Sequence, residues 1–173
     1  MEHKKHSGND YNYGCVLTYL ELADEYWEKF INSIDVDDLY HCEEERYGVE
    51  TEPHITLLYG IHEDVLDNET IELCKTIIGS DILIDCTHIE CFQNKEFDVV
   101  KLSVSSDTIH SFNERLRTLP HTNNYTYKPH VTIAYVKPGM GPKYCKAIEP
   151  LIIKGISNVT YSKTSGEKII ISI

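Results

Sequence analysis

Pro53-His54-Ile55-Thr56-Leu57-Leu58-Tyr59 decides the reading of this chain, because it returns as Pro129-His130-Val131-Thr132-Ile133-Ala134-Tyr135. Pro, His, Thr and Tyr are identical, and Ile55/Val131 and Leu57/Ile133 exchange one aliphatic residue for another. The copies start 76 residues apart, a little under half the chain. Most of these residues favour strands, and a Pro at the first strand position removes no ladder donor. Side chains alternate across a strand. His54, Thr56 and Leu58 are therefore expected on one face and Ile55, Leu57 and Tyr59 on the other. The second copy is expected to set His130, Thr132 and Ala134 against Val131, Ile133 and Tyr135. Each strand then carries an imidazole and, about 7 Å further on, a hydroxyl. Two such strands imply two similar lobes, each offering one His and one Thr to a shared cleft.

The segments around the motifs read as alternating elements. Tyr13–Leu22 is predicted as the first strand, and Ala23–Ile34 as a helix with Tyr26, Trp27, Phe30, Ile31 and Ile34 near one face. Asp35–Glu52 is acidic and irregular. Its Asp37-Asp38 and Glu43-Glu44-Glu45 fit no calcium loop and read as a solvated charge run. After the first motif strand, Asn68–Ile78 is predicted helical, capped by Asp67 or Asn68 and stopped by Gly79. Ile82–Phe92 and Phe97–Ser105 form a predicted hairpin, and Asp107–Leu119 a helix behind a Ser-Ser-Asp cap. The second motif strand follows, then a short helix or turn within Pro138–Pro150. Ile152–Tyr161 and Lys168–Ile173 read as a closing hairpin. The order implies an α+β chain with mainly antiparallel pairing: a tail over residues 1–12 and one bilobal unit over residues 13–173.

Composition narrows the function. The 173 residues carry a formal net charge of −12. That argues against a long, sequence-independent grip on nucleic acid, which needs clustered Lys and Arg, and leaves room for a small phosphate-bearing ligand. No apolar run reaches the roughly 18–20 residues that span a bilayer, and the polar start lacks the apolar segment of a signal peptide. The six cysteines show no CxxC pair and read as reduced thiols in a cytoplasm. No His pair at i, i+4 and no Cys cluster point to a metal site, and no GxGxxG or Walker loop occurs. No metal or cofactor is expected.

Two histidines facing one cleft suit proton transfer at a phosphodiester. One neutral ring takes a proton from water or a ribose hydroxyl, and one protonated ring gives a proton to the departing oxygen. Thr56 and Thr132 are suited to the non-bridging phosphate oxygens. On the same parity Glu52 and Lys128 precede the histidines on the cleft face, Glu52 to orient an imidazole and Lys128 to neutralise phosphate. Tyr13, Tyr125 and Tyr127 are candidates to stack on a base, with Tyr127 placed beside Lys128.

His54-Ile55-Thr56 and His130-Val131-Thr132, two His-x-Thr motifs in hydrophobic strands of a chain this size, resemble the 2H phosphoesterase superfamily, also called LigT-like. The resemblance implies a bilobal α+β fold of two mainly antiparallel sheets, with pseudo-twofold symmetry around a cleft lined by the four motif residues. It also implies metal-independent action on 2′–5′ linkages, 2′,3′-cyclic phosphates or related nucleotide esters. The stretches Asp38-Leu39-Tyr40, Tyr47-Gly48 and Glu52-Pro53-His54 further resemble bacteriophage members, some of which degrade the cyclic nucleotide alarm signals of bacterial immunity (CBASS). Two other functions stay open at this point: a nucleotide sponge without turnover, and an RNA-end processing enzyme.

Overall fold

The structure is a computed structural model that describes residues 13–41, 47–77 and 82–172. The tail predicted over residues 1–12, the Glu43–Glu45 cluster and the Gly79 helix stop lie outside these residues. Eight strands run in the order β6-β3-β4-β5-β2-β1-β7-β8, and every pairing is antiparallel. They are β1 (Gly14–Tyr19), β2 (His54–Ile61), β3 (Leu83–Gln93), β4 (Asp98–Ser105), β5 (His130–Val136), β6 (Lys146–Lys154), β7 (Asn158–Ser162) and β8 (Lys168–Ser172). The helices are α1 (Asp24–Ile31), α2 (Asp67–Lys75) and α3 (Asp107–Leu116). The mainly antiparallel α+β fold agrees with the sequence reading. The two expected sheets are two four-stranded halves of one sheet, joined between β2 and β5 by the register pair Ile55↔Val131.

Two of the three helices cross to the opposite half, while α2 stays on β7 and β8 of its own half. α1 follows β1 but packs on β5, and α3 follows β4 but packs on β2. Trp27 on α1 and Ile109, Phe112 and Leu116 on α3 supply their buried faces. Ile55, Leu57, Val131 and Ile133 have no exposed surface, and fully burying such a side chain contributes about 1.5–3 kcal/mol. Core burial thus presses both motif strands against helices on one side and leaves the other side for the cleft. Ser106 caps α3 as its sequence implies, accepting from the Ile109 N–H at 3.4 Å.

One predicted element divides. Ile152–Tyr161 is not a single strand; β6 ends at Lys154 and β7 starts at Asn158. Gly155 between them takes φ +82°, which glycine adopts without the steric cost other residues meet. Its N–H donates to the Ile82 carbonyl at 2.8 Å. β6 closes one edge of the sheet on β3, whereas β7 pairs with β1 in the other half and forms the expected hairpin with β8.

The motif strands also differ from strict alternation, and in the same way. Between Val16↔Leu58 and Leu17↔Thr56 the β1–β2 register slips by one residue, and between Val100↔Ala134 and Lys101↔Thr132 the β4–β5 register slips likewise. Each slip is a β-bulge immediately after the motif Thr, at Leu57 and at Ile133. An extra residue in a period-two strand reverses the faces beyond it. Leu58 and Ala134, expected beside the histidines, are therefore in the core at 1% and 0% exposure. Tyr59 and Tyr135, expected in the core, are half-buried, Tyr59 in the lining of a cleft and Tyr135 against Tyr47 and Phe97. The spacing His-x-Thr-x-x-Tyr places all three polar side chains on one face because of the bulge.

The carbonyls at the bulges are satisfied from outside the ladder. Asn113 Nδ2 donates to the Leu57 carbonyl at 2.7 Å. The Glu50 N–H donates to the Ile133 carbonyl at 2.8 Å, and Trp27 Nε1 to the Glu50 carbonyl at 2.7 Å. Each crossing helix thus braces the bulge of the opposite half. Asn113→Ala leaves a buried carbonyl without this partner and is expected to cost about 1–3 kcal/mol, read as a lowered urea midpoint with an unchanged slope.

Candidate active site

The register pair Ile55↔Val131 sets the site. In an antiparallel ladder centred there, His54 stands across from Thr132 and Thr56 across from His130. Diagonal neighbours in such a ladder are about 7–8 Å apart, so the two histidines occupy opposite corners of a small square. Each imidazole faces the hydroxyl of the other motif.

Both rings are oriented by the same contact. His54 Nδ1 lies 2.8 Å from the Glu52 carbonyl oxygen, and His130 Nδ1 lies 2.8 Å from the Lys128 carbonyl oxygen. A carbonyl only accepts, so Nδ1 carries a proton in both rings and Nε2 is the candidate nitrogen for proton transfer. Glu52 and Lys128 act on the imidazoles through their main chains. The Glu52 side chain is exposed, while Lys128 is exposed and lines the cleft.

A cleft of about 410 Å³ opens beside this square, lined by Thr56, Tyr59, Phe92, Tyr125, Tyr127 and His130 among others. His54 and Thr132 lie beyond its lining, and Thr132 is 5% exposed. A second cavity, of about 460 Å³, includes Tyr19, the β1 residue paired with His54 and 5.8 Å from its ring. Tyr127 donates its hydroxyl to the Thr56 carbonyl at 2.8 Å and meets His110 edge-on at 5.5 Å; burial pushes its phenol well above the usual range. It therefore braces the motif strand as well as lining the cleft. Tyr13 is outside the lining and meets Tyr59 edge-on at 6.1 Å. Tyr125, 63% exposed, stands over the cleft.

Sequence reasoning missed several neighbours. Cys15 pairs with Tyr59 across β1–β2 and shares a hydrogen bond with Thr56; burial pushes its thiol up to about 12. Only the register brings this cysteine to the site. Lys101, paired with Thr132, and Ser103, paired with His130, flank the second motif on β4. A lysine inside the apolar run Val99-Val100-Lys101-Leu102 was the available signal. The acidic turn is engaged elsewhere. Asp38 accepts from Lys143 Nζ at 2.7 Å and from the Tyr144 hydroxyl, bonds that hold its carboxyl below the usual range. Among the described residues no group of three or more His, Cys, Asp or Glu is placed to hold a metal ion, and no helix is long and apolar enough to cross a membrane.

Comparison with known proteins follows this geometry. A search of curated proteins finds no relative by sequence. Among solved structures the fold is similar to that of Kluyveromyces marxianus Usb1, with a TM-score of 0.56 at 9% identity, covering 94% of this chain and 98% of that one. A phosphoesterase crystal structure is similar at a TM-score of 0.48 and 14% identity, with 92% and 95% covered. At these identities the likeness is one of fold. The family model of the 2′-5′ RNA ligase superfamily matches residues 24–148. That span starts in α1, ends in β6 and takes in both His-x-Thr strands, so the chain belongs to the 2′-5′ RNA ligase superfamily, the 2H phosphoesterases that process phosphodiester bonds.

Proposed function

We propose that this chain is a phosphodiesterase for small nucleotide diesters, with 2′–5′ linked, 2′,3′-cyclic and cyclic oligonucleotide compounds as its substrate class. His54 and His130 divide the acid and base roles, and Thr56 and Thr132 hold the phosphate. The observation that carries this reading is the matched pair of Nδ1–carbonyl contacts at 2.8 Å. They hold Nδ1 of each ring on its own main chain and leave the two Nε2 atoms, on diagonal corners of the ladder, for proton transfer. A bare Nε2 accepts the proton of the attacking water or ribose hydroxyl while a protonated Nε2 on the other ring donates to the departing oxygen. The threonine hydroxyls donate to the non-bridging oxygens as charge builds at phosphorus.

The two cavities fall in the range of small-molecule sites, about 300–1,000 Å³. One adjoins His130 and the other begins beside His54, which favours a diester with a nucleoside on either side of the phosphate. Tyr125 is offered to one base, Lys128 to the phosphate. The net charge of −12 supports a small ligand over a long polymer. Degradation of cyclic nucleotide immune signals, in a bacterial cytoplasm during phage infection, is the proposed role; it rests on resemblance to phage members.

The test is a product assay in EDTA with 2′,3′-cyclic nucleotides, 2′–5′ and 3′–5′ dinucleotides, 3′,5′-cyclic nucleotides and cyclic di- and trinucleotides, read by chromatography. Cleavage of the cyclic di- or trinucleotides supports the immune-signal role. Cleavage confined to 2′,3′-cyclic ends or 2′–5′ dimers moves the role to RNA ends or oligoadenylates. Binding at one equivalent without product replaces the enzyme by a sponge. Because two imidazoles supply both proton transfers, EDTA is expected to leave the rate unchanged; loss restored by zinc would replace this mechanism with a metal-assisted one.

A further inference from the structure

We infer that Lys101 is a positioning residue for His130, acting through Phe92 and Ser103. The inference rests on the two-histidine reading above.

Lys101 is the one buried cationic side chain among the described residues, at 3% exposure. Long charged side chains ordinarily carry the head group out to water, and a buried ammonium is costly unless it is matched. Lys101 Nζ is matched three ways. It donates to Glu90 Oε2 at 3.0 Å and to Ser103 Oγ at 3.0 Å, and it lies 4.5 Å from the Phe92 ring centroid. Ser103 in turn donates to Glu90 Oε2. Its counter-ion is the exposed partner, with the Glu90 side chain 58% accessible. A pair of this kind adds little to stability over an apolar residue of similar volume.

The arrangement makes sense from the side of the imidazole. Phe92 meets His130 edge-on, with centroids 5.0 Å apart and planes at 89°. Ser103 is the β4 residue paired with His130, as Lys101 is with Thr132. A cation held over the ring face favours one ring orientation, so Lys101 fixes Phe92 and Phe92 fixes the imidazole. The Nδ1–carbonyl bond sets one axis of His130, and the Phe92 contact sets the rotation about it.

His54 has a looser counterpart. Its ring meets Tyr19 at 5.8 Å and 65°, and Lys168 Nζ lies 5.7 Å from the Tyr19 centroid and donates to its hydroxyl at 3.0 Å. Lys168 is exposed. The two imidazoles thus share a histidine–aromatic–lysine stack, and only the His130 stack has its lysine locked in the interior.

The experiment measures steady-state kinetics of full-length wild type, Lys101→Met, Lys101→Arg, Phe92→Leu and Lys168→Met. The probe is the diester of the panel above that wild type cleaves fastest, and thermal unfolding is recorded for each variant. Lys101→Met keeps the stem volume and removes the charge. It is expected to lower kcat about tenfold or more, as small misplacements of a reacting group do, with KM within about twofold and the melting temperature unchanged or raised. Lys101→Arg should recover most of kcat, because the cation returns to the Phe92 face. Phe92→Leu should reproduce the Lys101→Met loss, and Lys168→Met should cost less than about threefold, as an exposed pair does. A wild-type kcat in Lys101→Met overturns the inference. If Lys101→Met fails to fold, Phe92→Leu decides, and a wild-type kcat there overturns it equally. Turnover by wild type with an undiminished kcat in Lys101→Met is a failure of this inference alone; the two-histidine reading fails instead if wild type cleaves nothing or if His54→Ala or His130→Ala keeps wild-type activity.

Discussion

His54→Ala and His130→Ala are each expected to lower kcat by about 10²–10⁴-fold, the usual share of a positioned general acid or base, while the fold stays intact. The loss is chemical because neither imidazole is a core side chain; each holds its Nδ1 on the carbonyl two residues earlier and meets one aromatic ring edge-on. Both histidines are half-buried at the first position of their strands. Truncation there removes one edge-on aromatic contact, so stability should move by about 1 kcal/mol or less. The double variant should be hardly slower than the worse single one, because groups that act as a unit are not additive. Turnover by chromatography, alongside thermal unfolding, measures both halves of the expectation. Wild-type-like activity in either single variant would sink the two-histidine mechanism.

The largest stability effect is expected at Asp98. This residue has no exposed surface, and its carboxylate accepts from the N–H groups of Asn94 at 3.3 Å, Gly139 at 2.9 Å and Gly141 at 3.0 Å. The three bonds tie the β3–β4 turn and the Gly139–Gly141 turn to the start of β4. Gly141 sits so close that an added Cβ would lie 2.9 Å from the Cβ atoms of both Asp98 and Cys91. Asp98→Ala removes one acceptor from three donors. At about 1–3 kcal/mol for each buried group left unpaired, the cost should reach about 3 kcal/mol or more, a large part of the 5–15 kcal/mol typical of a domain. Urea unfolding measures it. Asp98→Asn keeps one carbonyl oxygen and should recover part of the loss. A cost below about 1 kcal/mol for Asp98→Ala would mean that water replaces the carboxylate, as it can where the site is roomy and polar.

The repeated heptapeptide carried most of what the sequence alone determined. Strand preference, the two His-x-Thr pairs and the aromatic and aliphatic stripes of the helices are local patterns, and local patterns survive in a single line of residues. The α+β order and the opposition of two motifs followed from them. What the tertiary structure decided depends on register, and register is a relation between strands that no one strand records. The bulges after Thr56 and Thr132 turned Tyr59 and Tyr135 out of the core and Leu58 and Ala134 into it, although the heptapeptides read as unbroken alternation. Gly155 sent the two parts of the segment predicted as one strand, Ile152–Tyr161, to opposite halves of the sheet. Cys15 and Lys101 reached the motif threonines only because β1 and β4 lie beside β2 and β5. The candidate residues for the chemistry were legible along the chain. What surrounds and orients them was settled across the chain, where antiparallel pairing brings distant residues within a few ångströms.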